Sequence, residues 1–406
     1  MAPEKLRKIS AVALFVLTIA TLAVMWQPAF WATALAEVGA FALACVWLIL
    51  YMTGAIELQL GIILIPLAAA ALWPLLQLAL GATIYRWSTS VSALYWAANA
   101  AVVFVGLQIF GHSDIRKWYL RALVAAGFVL AVVASLQAYT SDGKIFWLFV
   151  VRYSDVAMGP FVYRNQYAAF IELLLPIALT HAFSDRTDWR IFHQLAAAAM
   201  YASVLVSASR MGFVLTSLEL VVVPLLVARR TLVSPRLLLT SGAIFLGMLV
   251  VLSVAAGPET LIAKLQQKDP YLGRREYAES SLRMIRDKPL LGVGMGNWST
   301  AYPAYATFDN GYFANQAHND WTQWAAEGGL PFAFLILSVA IWSVPRALRT
   351  GWGAGVIFVF LHCLVDYPIQ RIGVALVFFS LIAAIASPEE SREPAAPRRS
   401  AARRAE

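Results

Sequence analysis

The chain has 406 residues, 60% of them hydrophobic and only 13% charged, with a mean hydropathy of +0.69. That composition excludes a soluble globular fold, because uninterrupted apolar runs recur at about 18–25 residues, the length that crosses a hydrocarbon core of roughly 30 Å. The net charge of +8 is first explained by membrane topology, so it implies no nucleic-acid partner.

Lys5, Arg7 and Lys8 precede the first apolar run. This start resembles a signal peptide, but the length of the run and the spans that follow make it a retained first helix. Twelve apolar spans are predicted near 9–27, 32–52, 56–80, 88–110, 118–140, 163–183, 191–207, 211–228, 233–256, 330–348, 352–367 and 369–387. Pro66 and Pro74 predict a kink or an early end in the third. Cys45 and Cys363 lie in apolar runs and are read as packing residues, with neither a disulfide framework nor zinc spacing. The fold class expected is an all-α polytopic membrane protein of about twelve transmembrane helices, with one large periplasmic loop containing short helices. Helices 1–9 fall in residues 1–256, the loop in 257–329, helices 10–12 in 330–387, and a disordered basic cytoplasmic tail in 388–406. That tail is suited to anionic lipid.

Basic clusters set the orientation. They lie before the first span (Lys5, Arg7, Lys8), after the fourth (Arg116, Lys117, Arg121), after the sixth (Arg186, Arg190), after the eighth (Arg229, Arg230, Arg236) and after the tenth (Arg346, Arg349), and in the tail. With the N-terminus inside, every cluster is cytoplasmic and 18 of the 31 basic residues lie there. The clusters flanking 191–228 need the same side, so that stretch must cross twice and turn at SASRMG (207–212). Arg210 is thereby placed at the outer boundary, together with Arg164 in GPFVYRNQYAAF (159–170), the 257–331 segment, and the turn in LHCLVDYPIQR (361–371).

Residues 257–331 are the only long polar segment in the body of the chain. Arg164, Arg210, Arg274 and Arg275 gather on the outer face, where planar guanidinium forks suit the phosphates of a lipid-linked diphosphate. Snorkelling to headgroups, or pairing with Glu276, Glu279 and Asp287, is the competing reading. His318, in QAHNDWTQWAAEGGLP, precedes a helix expected from Asn319 to Gly328–Gly329, with Pro331 opening the next span. As a neutral imidazole it can take a proton from a sugar hydroxyl, although a lone histidine is more often structural. On such a helix His318 and Asp320 would face different ways and would not share a metal. No HExxH, DxD or paired-histidine spacing occurs, so the site is read as metal-independent and without a cofactor. Trp298, Tyr302, Tyr305, Tyr312, Phe313, Trp321 and Trp324 are either sugar-stacking platforms or an interfacial belt. LLGVGMGN (290–297) lacks the lysine and preceding strand of a phosphate loop and is read as tight turns where backbone approaches the bundle. Glu37, Glu172 and Glu219 lie within spans, with no role assigned.

GPFVYRNQYAAF, SASRMG, YLGRREYAESSLRMIRDKPLLGVGMGNW, AHNDWTQWAAEGGLP and HCLVDYP occur in the order seen in the bacterial O-antigen ligase and polymerase superfamily, and the chain resembles it over about residues 159–385. The resemblance implies a metal-independent, inverting glycosyltransferase of the GT-C type in the bacterial inner membrane. Such an enzyme moves a glycan from undecaprenyl diphosphate on the periplasmic face. It implies His318 and Arg210 as catalytic. Arg164, Arg274 or Arg275, Tyr277, Asn319, Trp321, His362 and Asp366 become substrate-binding. The implied partners are the lipid-linked donor, a lipid A–core or glycan acceptor, and membrane lipids. A ligase, a polymerase and a protein O-oligosaccharyltransferase would share the donor site. A flippase for the same glycan would instead show repeated halves and a charged central path, and neither is visible.

Overall fold

The computed structural model describes residues 3–27, 29–151, 157–184, 189–229, 235–257, 259–266, 272–307, 311 and 313–387. The expected basic tail over 388–406, Tyr312, Arg186 and Arg230 lie outside the described residues. The helices are α1 (Pro3–Val24), α2 (Phe30–Met52), α3 (Leu64–Ala79), α4 (Arg86–Phe110), α5 (Ser113–Thr140), α6 (Arg164–Ser184), α7 (Trp189–Ser207), α8 (Arg210–Ala228), α9 (Pro235–Ala255), α10 (Glu259–Leu265), α11 (Leu272–Asp287), α12 (Trp298–Ala301), α13 (Asp320–Thr350), α14 (Ala354–His362) and α15 (Ile372–Ala386). Among the described residues there is no β-strand, only two isolated bridges.

Seven of these helices are long and apolar enough to cross a membrane: α1, α2, α4, α5, α6, α8 and α13. The expected third span starts late, at Leu64, with Pro66 in the first turn, where its missing N–H is tolerated. The greatest departure is at the expected spans 352–367 and 369–387. Helix α14 ends at His362 and turns follow over 363–365, so α14 has 9 residues and α15 has 15. At 1.5 Å per residue they are about 13 and 22 Å long, short of a hydrocarbon core of roughly 30 Å. Pro368 supplies one cause, since it donates no N–H and disfavours helix before it.

Packing places α6 at the centre. Every residue from Gln166 to Leu179 is buried, the all-round apolarity of an interior helix, and α5, α7, α8 and α14 surround it. Helix α15 is buried from Ile372 to Ile385 between α1, α4 and α13. Outer helices keep large apolar side chains exposed, such as Val12, Leu35, Ile65 and Val251, a surface suited to lipid. Cys363 is buried, as a packing residue should be, whereas Cys45 is exposed on α2.

The bundle has two chemically distinct ends. At one, Arg7 bonds to Gln108 O (3.2 Å) and His112 Nε2 (3.0 Å), and Arg116 reaches Ser387 O (3.4 Å). The starts of α1 and α5 and the end of α15 therefore meet there. The starts of α6, α8 and α13 meet at the other end, around Asp366.

Residues 288–298 run against α3 and α13 as the expected tight turns. Gln77 on α3 donates to Leu291 O and Glu327 O and accepts from Met295 N. Glu327 accepts from the backbone of Gly296 and Trp298, each at 3.0 Å. Gly292 has φ +64°, and a Cβ there would stand 2.4 Å from the Glu327 carbonyl carbon, so only glycine fits.

Candidate active site

The turn at 207–210 is built by its two serines. Ala208 takes a left-handed φ of 52°, which ends α7. The Ser207 hydroxyl accepts from Ser209 N (3.2 Å), and the Ser209 hydroxyl caps α8 by accepting from Gly212 N (3.2 Å). Arg210 is thus the first residue of α8, as the two-crossing argument requires. Its Nη1 donates to Lys264 O at the end of α10 (3.3 Å).

A second support is the start of α13. Asn319 caps it by accepting from Thr322 N (3.0 Å) and donates to Leu364 O (2.8 Å). Asp320 accepts from Ile369 N (3.2 Å), while its own N–H donates to Cys363 O and Asp366 O. Trp321 Nε1 donates to Phe360 O (3.1 Å). Three consecutive residues therefore satisfy the backbone groups freed where α14 breaks, which a non-helical stretch inside a bundle requires. Their neighbour His318, at φ 52°, sits in a region non-glycine residues seldom enter, and such strain concentrates at functional positions.

These supports converge on Asp366, whose side chain is 5% exposed. Oδ1 accepts from Tyr367 N (2.9 Å) and lies 3.3 Å from His318 Nδ1. Oδ2 accepts from Asn165 Nδ2 and pairs with Arg274 Nη2 at 3.3 Å. Asn165 Oδ1 in turn accepts from the Ser209 hydroxyl (2.8 Å), linking α6, the α7–α8 turn and the α14–α15 break. Burial works to raise the pKa of Asp366. The hydrogen bond and charge of His318, with the charges of Arg274 and His362, outweigh it and hold the carboxyl well below the usual carboxylate range. The His318 ring stacks on Tyr277 (6.0 Å between centroids, 13°) and meets the Tyr367 ring edge-on (4.9 Å).

The expected site residues separate into groups. His318, Arg274, Tyr277 and Asp366 come together directly, and Arg164 and Arg210 directly adjoin Asn165 and Ser209 of the same network. Arg275 is exposed and is not among the groups on Asp366. Asn319 and Trp321 are engaged in supporting the break. His362 is fully buried, with Nδ1 2.8 Å from Glu172 Oε1, so it faces the interior of the bundle. Glu172, one of the three glutamates without a role in the sequence, therefore has a partner.

Of the aromatics, Trp298 and Trp324 are neither platform nor belt. Both are about 1% exposed or less. Trp298 donates to the Ser281 hydroxyl (2.8 Å) and packs with Tyr277, Tyr302 and Tyr305 in a small core of the polar segment. Phe313 remains exposed. Glu276 fastens α11 to the segment after Tyr305, accepting from Thr307 N (2.7 Å) and the Thr307 hydroxyl (2.5 Å). Burial pushes its pKa up, but the Thr307 and Ser280 hydrogen bonds and the charge of Arg283 prevail and lower it. Asn165, Ser209 and Tyr367 escaped the sequence reading. They stand inside the quoted motifs, beside the charged residues that drew attention. Among the described residues, no three His, Cys, Asp or Glu side chains are grouped to hold a metal ion.

A family sequence model described as O-antigen ligase matches residues 195–338. The matched stretch takes in the α7–α8 turn, α11, the glycine-rich turns, His318 and the first part of α13. It ends before His362 and Asp366 and begins after Asn165. No curated protein matches the chain. The resemblance read from the motifs therefore holds for this stretch.

Proposed function

Taking residues 195–338 as an O-antigen ligase domain, we propose that the chain is a multi-pass inner-membrane glycosyltransferase. It transfers a glycan from undecaprenyl diphosphate to a hydroxyl of lipid A–core on the periplasmic face, with inversion and without a metal. The observation that carries this reading is His318 held against buried Asp366, with Arg274 on the same carboxylate and the Arg210 turn tied to it through Asn165 and Ser209. The basic residues gathered at the opposite end of the bundle support the orientation.

Asp366, as the anion facing Nδ1, favours the tautomer with the proton there. Nε2 is then the nitrogen that accepts a proton. The acceptor hydroxyl oxygen attacks the anomeric carbon as its proton passes to His318. The bond from that carbon to the diphosphate oxygen breaks, and the diphosphate leaves with the electron pair. Arg210 and Arg274 offset the charge that develops on it, so no acid catalyst is needed. Tyr277 keeps the imidazole in plane, and Arg164 adds positive charge at the start of α6.

The test is transfer by purified protein with excess EDTA and without ATP, together with donor binding. His318→Ala should leave binding nearly intact while transfer falls about 10²–10⁴-fold, the range of a general base. Arg210→Ala should weaken donor binding as well, and Arg210→Lys should restore only part of it. Wild-type turnover in His318→Ala, or activity lost on chelation and regained with Mg²⁺, would overturn the mechanism. In cells, a deletion strain should accumulate free lipid A–core with intact polymer on its carrier. Single capped repeats would instead assign the chain to polymerisation.

A further inference from the structure

A second cationic station stands at the Tyr367 ring, which also meets His318 edge-on. The Arg371 guanidinium carbon lies 5.6 Å from the Tyr367 ring and 5.8 Å from the Tyr163 ring. Its Nε is buried without a hydrogen-bond acceptor, and among the described residues no carboxylate lies within ion-pair distance of it. Among the described residues it is the one charged residue lining a cavity of about 460 Å³ whose other walls include Trp26, Gln27, Val150, Pro160 and Asn315. Trp26 in turn stacks on Phe149 at 4.4 Å. Asn315 is three residues before His318, so the cavity adjoins the histidine through a short segment of chain.

Pro160 also lines a second cavity, of about 540 Å³, between α1 and α5. This one is almost wholly apolar, walled by residues such as Ile19, Leu22, Ala126 and Val129. The two cavities share Pro160, so an apolar crevice on the flank of the bundle adjoins a polar end at Arg371. A single guanidinium and an apolar trough fit a lipid whose head bears an isolated anionic group. Neither Arg210 nor Arg274 lines either cavity. They stand on α8 and α11, on the side given above to the diphosphate.

We propose that this pair of cavities is the acceptor site. Arg371 holds a phosphate of a phosphorylated, lipid-anchored glycan whose acyl chains lie in the α1–α5 crevice, with its hydroxyl presented to His318 past Tyr367. The assignment to the acceptor rests on the reaction proposed above. The acceptor thus has a route to the histidine separate from the residues given to the diphosphate, which lets nucleophile and leaving group lie opposite each other across the anomeric carbon.

The experiment is photolabelling of the full chain in nanodiscs with two probes, lipid A–core carrying a diazirine in an acyl chain and a polyprenyl diphosphate glycan carrying one in its tail. Lipid A–core should label residues 122–133. Arg371→Gln should reduce that labelling about 10–100-fold, the worth of a hydrogen bond to a charged group, and Ala126→Trp should block it from a distance. Labelling by the polyprenyl probe should change with neither variant. In the transfer assay, Arg371→Gln should raise KM for the acceptor while kcat and the donor KM stay near wild type. Labelling of 122–133 by the polyprenyl probe instead, or acceptor labelling indifferent to both variants, would overturn the proposal. Labelling needs no turnover, so an acceptor-specific signal from a protein that transfers nothing would sink the reaction and leave the groove.

Discussion

Replacing Asp366 with asparagine keeps the shape of the hub and removes its charge. Tyr367 N can still donate to the amide oxygen, but the new NH2 must then face Asn165 Nδ2 and the Arg274 guanidinium, donors set against a donor. Breaking a fully buried ion pair costs about 3–5 kcal/mol. Here the Arg274 and His318 side chains are 29% and 24% exposed, so water recovers part of that. A loss of about 1.5–3 kcal/mol is expected, the worth of one hydrogen bond to a charged group. The catalytic effect should be larger than this suggests, because the anion that sets the His318 tautomer is gone. Turnover is expected to fall about 10²–10⁴-fold, as for loss of the base itself. Donor affinity should also weaken as Arg274 loses its anchor. Steady-state transfer with both substrates varied, paired with thermal melting, separates the two effects. Wild-type turnover in a protein with a lowered melting point would refute the orienting role and leave Asp366 as scaffold.

Gly329 joins the two halves of α13 at φ 75°, ψ 175°, where a Cβ would stand 2.3 Å from Leu290 O. Gly329→Ala should destabilise the protein by about 1–3 kcal/mol or more, read as a lower denaturation midpoint with the helical signal retained. Glu276 has a lowered pKa, so its stabilisation is complete above the ordinary glutamate value and is lost as pH falls through its folded value. On acidification below the ordinary value, wild type should therefore lose melting temperature faster than Glu276→Gln. Equal slopes would remove Glu276 as the acid-sensitive fastening of α11. Reporter fusions at 112–117 and after residue 387 should read cytoplasmic, and fusions at 207–209 or 313–317 should read external. A cytoplasmic signal at 207–209 would break the charge argument that places Arg210.

What depends on local chemistry was legible in the sequence. Apolar length marked most of the helices, and the charge clusters flanking 191–228 demanded a turn that Ser207 and Ser209 do make. Asn319 was identifiable as a helix start, and the glycines of 290–297 as backbone pressed against the bundle. Each of these follows from a few neighbouring residues. The turn before Asp366 was legible, but the shortness of the helices on either side of it was not, because an apolar run of the right length reads as a span until something else satisfies its backbone. That something is Asn319, Asp320 and Trp321, more than 40 residues earlier. The choice of Arg274 over Arg275 was equally hidden. Adjacent arginines are equivalent in sequence, and only the packing of α11 against α13 turns one of them onto Asp366. Motif order brought Arg274, His318 and Asp366 to notice one by one, while Asn165 and Ser209 escaped it. Their meeting at a single carboxylate was decided by how α6, α8, α11, α13 and the α14–α15 break pack, a long-range outcome that no local pattern encodes.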